Sequence, residues 1–134
     1  MPCCHADFAA VEGSDRGFTV GMPTFTFGPG VLAEAGDHAR ELGLTRVALF
    51  TDPRLAAGEY VRTVRASLKS AGVDSTVYSD VAIEPTDASF QEAARFAADG
   101  RFDGYVSVGG GSVMDTCKAA NLYASPPEIG RAHV

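Results

Sequence analysis

A continuous apolar run, Tyr105-Val106-Ser107-Val108, stops at three glycines, Gly109, Gly110 and Gly111, and a helical pattern begins at Ser112. Strand, glycine loop, helix is the arrangement that brings bare backbone amides up to an anion. Glycines remove the Cβ atoms that would block close approach. The first amides of a helix have no intrahelical partner, and the helix dipole places partial positive charge there. A pyrophosphate can use both. The stretch matches neither named phosphate motif. No Lys follows a glycine at the spacing of G-x-x-x-x-G-K-[ST], and Met114 sits where G-x-G-x-x-G requires its third glycine. It reads equally as a tight strand-to-helix turn closed by a capping box, Ser112-x-x-Asp115. The two readings are compatible, with Asp115 bracing the loop and touching no ligand.

The rest of the chain alternates in the same way. Thr24-Phe25-Thr26-Phe27 alternates β-branched and aromatic residues and predicts a short strand, ended by Gly28-Pro29-Gly30. A helix is expected over about Val31 to Leu42, with Leu32, Ala35, Ala39 and Leu42 on its inner face, His38 solvated, and Gly43 as its stop. Arg46 to Thr51 is an unbroken apolar run of strand length, as found where helices cover both faces of a sheet. A helix follows over about Glu59 to Ser70, with Val61, Val64, Leu68 and Ala71 inward and Gly72 closing it. Ser75 to Tyr78 is the next strand. Thr86 or Asp87 can cap a helix running to about Ala98, whose buried stripe is Phe90, Ala93, Ala94 and Ala97, with Gly100 ending it. The helix after the glycine run presents Val113, Cys117 and Ala120 on one face and stops at Pro126-Pro127.

Strands alternating with helices through short loops imply an α/β fold, a Rossmann-like parallel sheet with helices on both faces. Ligands of such sheets bind beyond the carboxyl ends of the strands. Two features fall there: Asp52, after the run ending at Thr51, and Gly109 to Ser112. A carboxylate at a strand end can accept both hydroxyls of an adenosine ribose and would repel a 2′-phosphate, which favours NAD over NADP. Asp52 is also a common turn residue before Pro53. The order, acid first and glycines later, is the reverse of the familiar dinucleotide fingerprint.

Composition narrows the class. A chain of 134 residues is one domain by default. Its formal net charge of −6 argues against nucleic-acid binding, which needs a cationic face. No apolar stretch approaches the ~18 residues that span a membrane. Residues 1–17 read as a tail. They carry Asp7, Glu12 and Asp15 and lack an apolar core segment, unlike secretory or mitochondrial leaders, so the cytoplasm is the expected compartment. The three cysteines suggest no disulfide framework. Cys3-Cys4-His5 is a weak soft-metal pattern with no second ligand cluster beside it.

The ordered set Gly28-Pro29-Gly30, Thr51-Asp52-Pro53, Glu84-Pro85-Thr86 and Gly109 to Lys118 resembles the N-terminal, nucleotide-binding half of the iron-dependent alcohol dehydrogenase family. The segments Val81 to Phe90 and Ala119 to Pro126 resemble one branch of it, the hydroxyacid–oxoacid transhydrogenases. The resemblance runs from about Thr24 to Pro127. It implies NAD(P) as cofactor, with NAD favoured, Asp52 at the adenosine ribose, Gly109, Gly110, Gly111 and Ser112 around the pyrophosphate, and Asp115 beside them. Many relatives have Pro-Asn-Pro-Thr where this chain has Ile83-Glu84-Pro85-Thr86, which puts the cofactor contact made by that Asn in doubt here.

The chemistry implied is hydride transfer from an alcohol carbon to nicotinamide, with iron or another divalent metal stabilising the alkoxide as a Lewis acid. In the transhydrogenase branch a hydroxyacid such as 4-hydroxybutyrate gives the hydride and an oxoacid such as 2-oxoglutarate takes it up. The partners implied are such small molecules, or an alcohol, with no nucleic acid and no membrane; a homo-oligomer is open. The family's metal ligands, an Asp and three His, belong to a helical second domain, and His5, His38 and His133 match none of them. The expectation is a dinucleotide-binding α/β domain over 18–127 that is inactive by itself. A glycerol dehydrogenase-like or dehydroquinate synthase-like relative, or a free-standing nucleotide-binding regulatory module, are the alternatives. Residues 128–134 are expected to be non-native, because they can be back-translated into a string that reads as the start of a widely used sequencing adaptor; the natural protein is then expected to be longer.

Overall fold

The computed structural model describes residues 23–124. Three parallel strands, β1 (Arg46–Thr51), β2 (Asp74–Tyr78) and β3 (Gly104–Val108), form one sheet in the order β2-β1-β3. A 3-10 turn at Val31–Glu34 leads into α1 (Ala35–Glu41), and α2 (Glu59–Ser70), α3 (Asp87–Gly100) and α4 (Gly111–Ala124) follow. In register, Phe50 lies opposite Tyr78 on one side and Ser107 on the other. The α/β class read from the sequence is the fold observed.

β1 is the central strand, and Val47 to Thr51 are all buried. Its alternate residues feed two cores. Val47 and Leu49 pack with Ala39, Val61, Val64 and Leu68 of α1 and α2. Ala48 and Phe50 pack with Ala93, Ala97, Val113, Cys117 and Ala120 of α3 and α4. A strand covered on both faces has no polar side to present, which is why its sequence is continuously apolar. Burial of each large side chain here contributes roughly 1.5–3 kcal/mol. Phe50 also anchors an aromatic cluster, with ring centroids 5.1 Å from Tyr78 and 5.8 Å, edge-on, from Phe96.

Local chemistry sets the helix ends. Thr86 caps α3 with a full box: the Ser89 amide donates to Thr86 Oγ1 at 3.2 Å, and the Thr86 amide donates to Ser89 Oγ at 2.8 Å. Gly43 and Gly72 take the left-handed conformation after α1 and α2, with φ of 71° and 78°.

Three expectations are corrected. Thr24 to Phe27 is not a strand. No ladder partner reaches it among the described residues, and Phe25 and Phe27 stand exposed. The first helix begins as a 3-10 turn, and Leu32 and Leu42 lie outside its buried face; Ala39 is buried as expected, and Gly36 joins it. Phe90 and Ala94 of α3 are only partly buried, leaving Ala93 and Ala97 as its buried stripe. Gly100 is the last residue of α3, as expected. The left-handed cap is Arg101, at φ 49°, and Gly100 is held small by the Phe102 ring, whose Cε2 would lie 2.0 Å from an added Cβ.

The connections place the site. The chain moves from β1 through α2 to β2, then returns past β1 through α3 to β3 on its other side. The carboxyl ends of β1 and β3 therefore flank the topological switch point, where open α/β sheets leave a crevice.

Candidate functional site

Thr51 and Val108 are the last residues of β1 and β3, and they are directly paired. The buried Thr51 hydroxyl donates to the Val108 carbonyl at 2.9 Å, fixing the two strand ends together. The chain leaves this point in two directions: into Asp52 on one side and into Gly109 on the other.

Asp52 builds a turn. Its Oδ1 accepts the amides of Arg54 at 2.8 Å and Leu55 at 3.0 Å, and its carbonyl accepts those of Leu55 and Ala56. The turn reading of the sequence is thus realised in the structure. Both of these side-chain bonds fall on one oxygen, so Oδ2 keeps acceptor capacity.

The three glycines differ from one another. A Cβ on Gly109 would lie 2.6 Å from Val113 Cγ2, so its glycine is required by the packing of α4 onto the sheet. Among the described residues, Gly110 and Gly111 have nothing within 4 Å of an added Cβ, and neither takes a positive φ. The fold by itself does not call for glycine at those two positions. The helix begins at Gly111, and the Val113 and Met114 amides both donate to the Gly110 carbonyl at 3.1 Å. The amides of Gly111 and Ser112 precede the first intrahelical bond and stand at the positive end of the helix dipole.

The capping box Ser112-x-x-Asp115 does not form. Ser112 lies inside the first turn, and its hydroxyl donates to the Ile83 carbonyl, drawing the loop after β2 against the start of α4. Its carbonyl accepts the Thr116 hydroxyl at 2.8 Å. Asp115 is exposed and makes no hydrogen bond or ion pair among the described residues.

A hollow of about 120 Å³ lies between these elements, lined by Asp52, Arg54, Ile83, Gly110, Gly111 and Ser112, with Val81, Ala82 and Val113 beneath. The structure therefore gathers Asp52, Gly110, Gly111 and Ser112 in one place and leaves Gly109 and Asp115 off its lining. Glu84 is exposed and also off it. Larger hollows lie elsewhere among the described residues: about 460 Å³ beside Phe90 and Tyr123, about 560 Å³ near Phe102 and Asp103, about 490 Å³ near Lys69 and Asp74, and about 450 Å³ between Asp37 and Ser67. None of them is lined by a strand's carboxyl end, so the smaller notch is the better candidate on chemistry. Sequence reading passed over Arg54 and the Val81 to Ile83 wall. The available signal for Arg54 was a base two residues beyond the strand-end acid.

Other titratable groups do not converge here. Burial pushes the Cys117 thiol up to about 11, which leaves it an inert core residue. Burial also raises Tyr78 and Tyr105. His38 is exposed beside Glu34 and Glu41, a solvated helix residue as expected. Among the described residues no group of three or more His, Cys, Asp or Glu could hold a metal ion. The described residues do not fit a divalent-metal centre. Cys3, Cys4, His5, His133 and the segment 128–134 lie outside the described residues. Among the described residues no helix is long and apolar enough to cross a membrane.

A parallel sheet wrapped on both faces, with a glycine loop opening a helix at its switch point, is a Rossmann-like α/β domain. The model of the iron-containing alcohol dehydrogenase family matches residues 23–132, and this chain belongs to that family. Over 114 residues, 85% of the chain, it is 47% identical to the mitochondrial hydroxyacid-oxoacid transhydrogenase of Mus musculus and 46% identical to that of Homo sapiens. It spans 24% of the length of these relatives. Among solved structures, the NADH-dependent butanol dehydrogenase A of Thermotoga maritima superposes with a TM-score of 0.74 at 27% identity, covering 81% of this chain and 28% of that one. The chain is thus an oxidoreductase-family domain related to the transhydrogenases.

The expected cytoplasmic compartment does not stand, because these relatives are mitochondrial proteins. The expectation rested on the acidic composition of residues 1–17, and the folded domain's own chemistry holds no address.

Proposed function

We propose that this chain forms the dinucleotide-binding part of an alcohol dehydrogenase-like enzyme that transfers hydride from a hydroxyacid to an oxoacid through a bound nicotinamide cofactor. The observation that supports this reading best is the pair Gly110 and Gly111. Each leaves open space where a Cβ would stand, beside the unpartnered amides of a helix start and across a notch from Asp52. Close approach by a ligand is a reason for glycine that the packing of the domain does not supply. In this reading the amides of Gly111 and Ser112 meet the pyrophosphate. Gly109 shapes the turn behind them, and Asp115 adds its charge nearby. Asp52 accepts the ribose hydroxyls through its freer oxygen and disfavours a 2′-phosphate, so NAD is preferred.

A hydroxyacid and an oxoacid as substrates are supported by the relatives' names, and the family resemblance implies 4-hydroxybutyrate and 2-oxoglutarate as representatives. The same relatives support a mitochondrial setting. The cofactor supplies the hydride chemistry when bound, and this chain's residues bind and orient it. The divalent metal of the family would be held by residues other than those described here, so the 134-residue chain alone is proposed to bind cofactor weakly and turn nothing over. Titration with NADH, followed by its fluorescence, tests the reading. Saturable, weak binding is expected. A folded sample that gives no response at millimolar NADH overturns it, and turnover of 4-hydroxybutyrate with 2-oxoglutarate by the purified chain overturns the inactivity.

A further inference from the structure

Among the described residues, Arg54 is the one basic residue that lines the notch. Its place there is fixed by the residue it opposes in charge: the Arg54 amide donates to Asp52 Oδ1 at 2.8 Å, in a turn stiffened by Pro53. The two side chains rise from the same turn onto the same rim. Yet the Arg54 guanidinium forms no ion pair among the described residues, with Asp52 or any other acid. The guanidinium groups of Arg62, Arg65, Arg95 and Arg101 are likewise without a partner among the described residues, but none of them lines the notch. A guanidinium without a partner, beside a carboxylate that binds ribose, has a specific chemical use. A carboxylate accepts the 2′-hydroxyl and repels a 2′-phosphate. A guanidinium attracts that phosphate and can hold it through two parallel N–H···O bonds.

We propose that Arg54 is the residue that determines cofactor specificity in this notch: it receives the 2′-phosphate of NADP(H), so that the site accepts both cofactors in spite of Asp52. The proposal rests on the notch being the adenosine end of a dinucleotide site. It goes beyond that reading by naming the residue that narrows the NAD preference. Among the described residues no other side chain lining the hollow carries a positive charge, since its other polar side chains are the Asp52 carboxylate and the Ser112 hydroxyl, the latter already donating to the Ile83 carbonyl.

The experiment is a fluorescence titration of the whole chain with NADH and with NADPH, repeated on Arg54→Gln and Arg54→Lys. Wild type is expected to bind NADPH within about tenfold of NADH, and more steeply with falling salt, as an added charge contact requires. Arg54→Gln is expected to weaken NADPH about tenfold and NADH less than about twofold, a charge-assisted bidentate contact being lost from one ligand only. Arg54→Lys, which keeps the charge without the fork, should fall between. Competition by 2′,5′-ADP against ADP should follow the same order. Equal weakening of both cofactors would place the guanidinium on the shared pyrophosphate and overturn the proposal. So would unchanged NADPH affinity, or a wild type that binds NADH and rejects NADPH. In each of those cases the cofactor site itself survives. A folded wild type that binds neither nucleotide removes the site, and the proposal with it.

Discussion

The Gly36 amide donates to Ser67 Oγ at 2.8 Å, and the Ser67 hydroxyl donates in turn to the Ala33 carbonyl at 2.6 Å. α1 lies so close to α2 at this point that a Cβ on Gly36 would stand 2.1 Å from the Ser67 carbonyl oxygen. That neighbour is backbone inside a helix and cannot step aside. Gly36→Ala should therefore destabilise the domain by about 3 kcal/mol, the upper range for overpacking. Ser67→Ala should cost about 1–2 kcal/mol, because it leaves the Gly36 amide without its acceptor. Urea denaturation of both variants checks the order; equal, negligible losses would mean that α1 is free to shift.

This contact also shows where sequence reading stops. β1 was legible because burial on both faces removes every polar residue from Val47 to Phe50, and α2 because Val61, Val64 and Leu68 keep helical spacing. Gly36 carries no such signal: periodicity counts apolar side chains, and of the inner face it assigned to Leu32, Ala35, Ala39 and Leu42, Ala39 is buried while Leu32 and Leu42 stand exposed. Contacts made by the absence of a side chain depend on what the partner element places opposite. The same holds at Thr24 to Phe27, whose alternation fits a strand but whose ladder partner no local pattern can supply. At the site, the strand-end acid and the glycine run were legible from their places in the chain. That Gly109 answers to Val113 while Gly110 and Gly111 answer to nothing within 4 Å required coordinates. So did the presence of Arg54 on the same rim.

At the opposite end of the sheet, the Asp103 carboxylate accepts the Thr45 hydroxyl at 2.6 Å, the Arg46 amide at 2.9 Å and the Thr45 amide at 2.8 Å. These bonds, the Thr45 hydroxyl first, hold the Asp103 carboxyl below its usual value of 3.8. As pH falls through that value the unfolded chain takes up the proton before the folded one. The stability contributed is therefore present above it and is lost as pH falls through the lower folded value. Asp103→Asn should melt at a lower temperature than wild type at neutral pH, and the gap should close on acidification. A gap that stays constant with pH would show that the charge has no part in holding β1 to β3.

Asp52 has two separable roles, and one substitution divides them. Asp52→Asn keeps an oxygen for the Arg54 and Leu55 amides, so the turn and the melting temperature should change little. It removes the charge that disfavours a 2′-phosphate, so NADPH should gain on NADH by about tenfold. Asp52→Gly should shift the preference the same way while losing the two side-chain bonds, and should be less stable by about 1 kcal/mol. An unchanged NADH to NADPH ratio in Asp52→Asn would remove Asp52 from the ribose.

The glycine run offers the most direct separation of fold from site. Gly109→Ala drives a methyl group into Val113, 2.6 Å away, and should destabilise the domain by about 1–3 kcal/mol whether or not any ligand binds. Gly110→Ala and Gly111→Ala meet no protein atom within 4 Å and require no left-handed backbone. Gly111 opens α4, where alanine is the better helix former, so Gly111→Ala should melt at or slightly above the wild-type temperature. If a pyrophosphate lies against these positions, the added methyl group fills the space it needs, and NADH affinity should fall at least about tenfold with no loss of stability. Thermal melts beside NADH titrations on the three alanine variants distinguish the cases. Full NADH affinity in Gly110→Ala and Gly111→Ala would mean that the open space above the helix start is not where the cofactor sits.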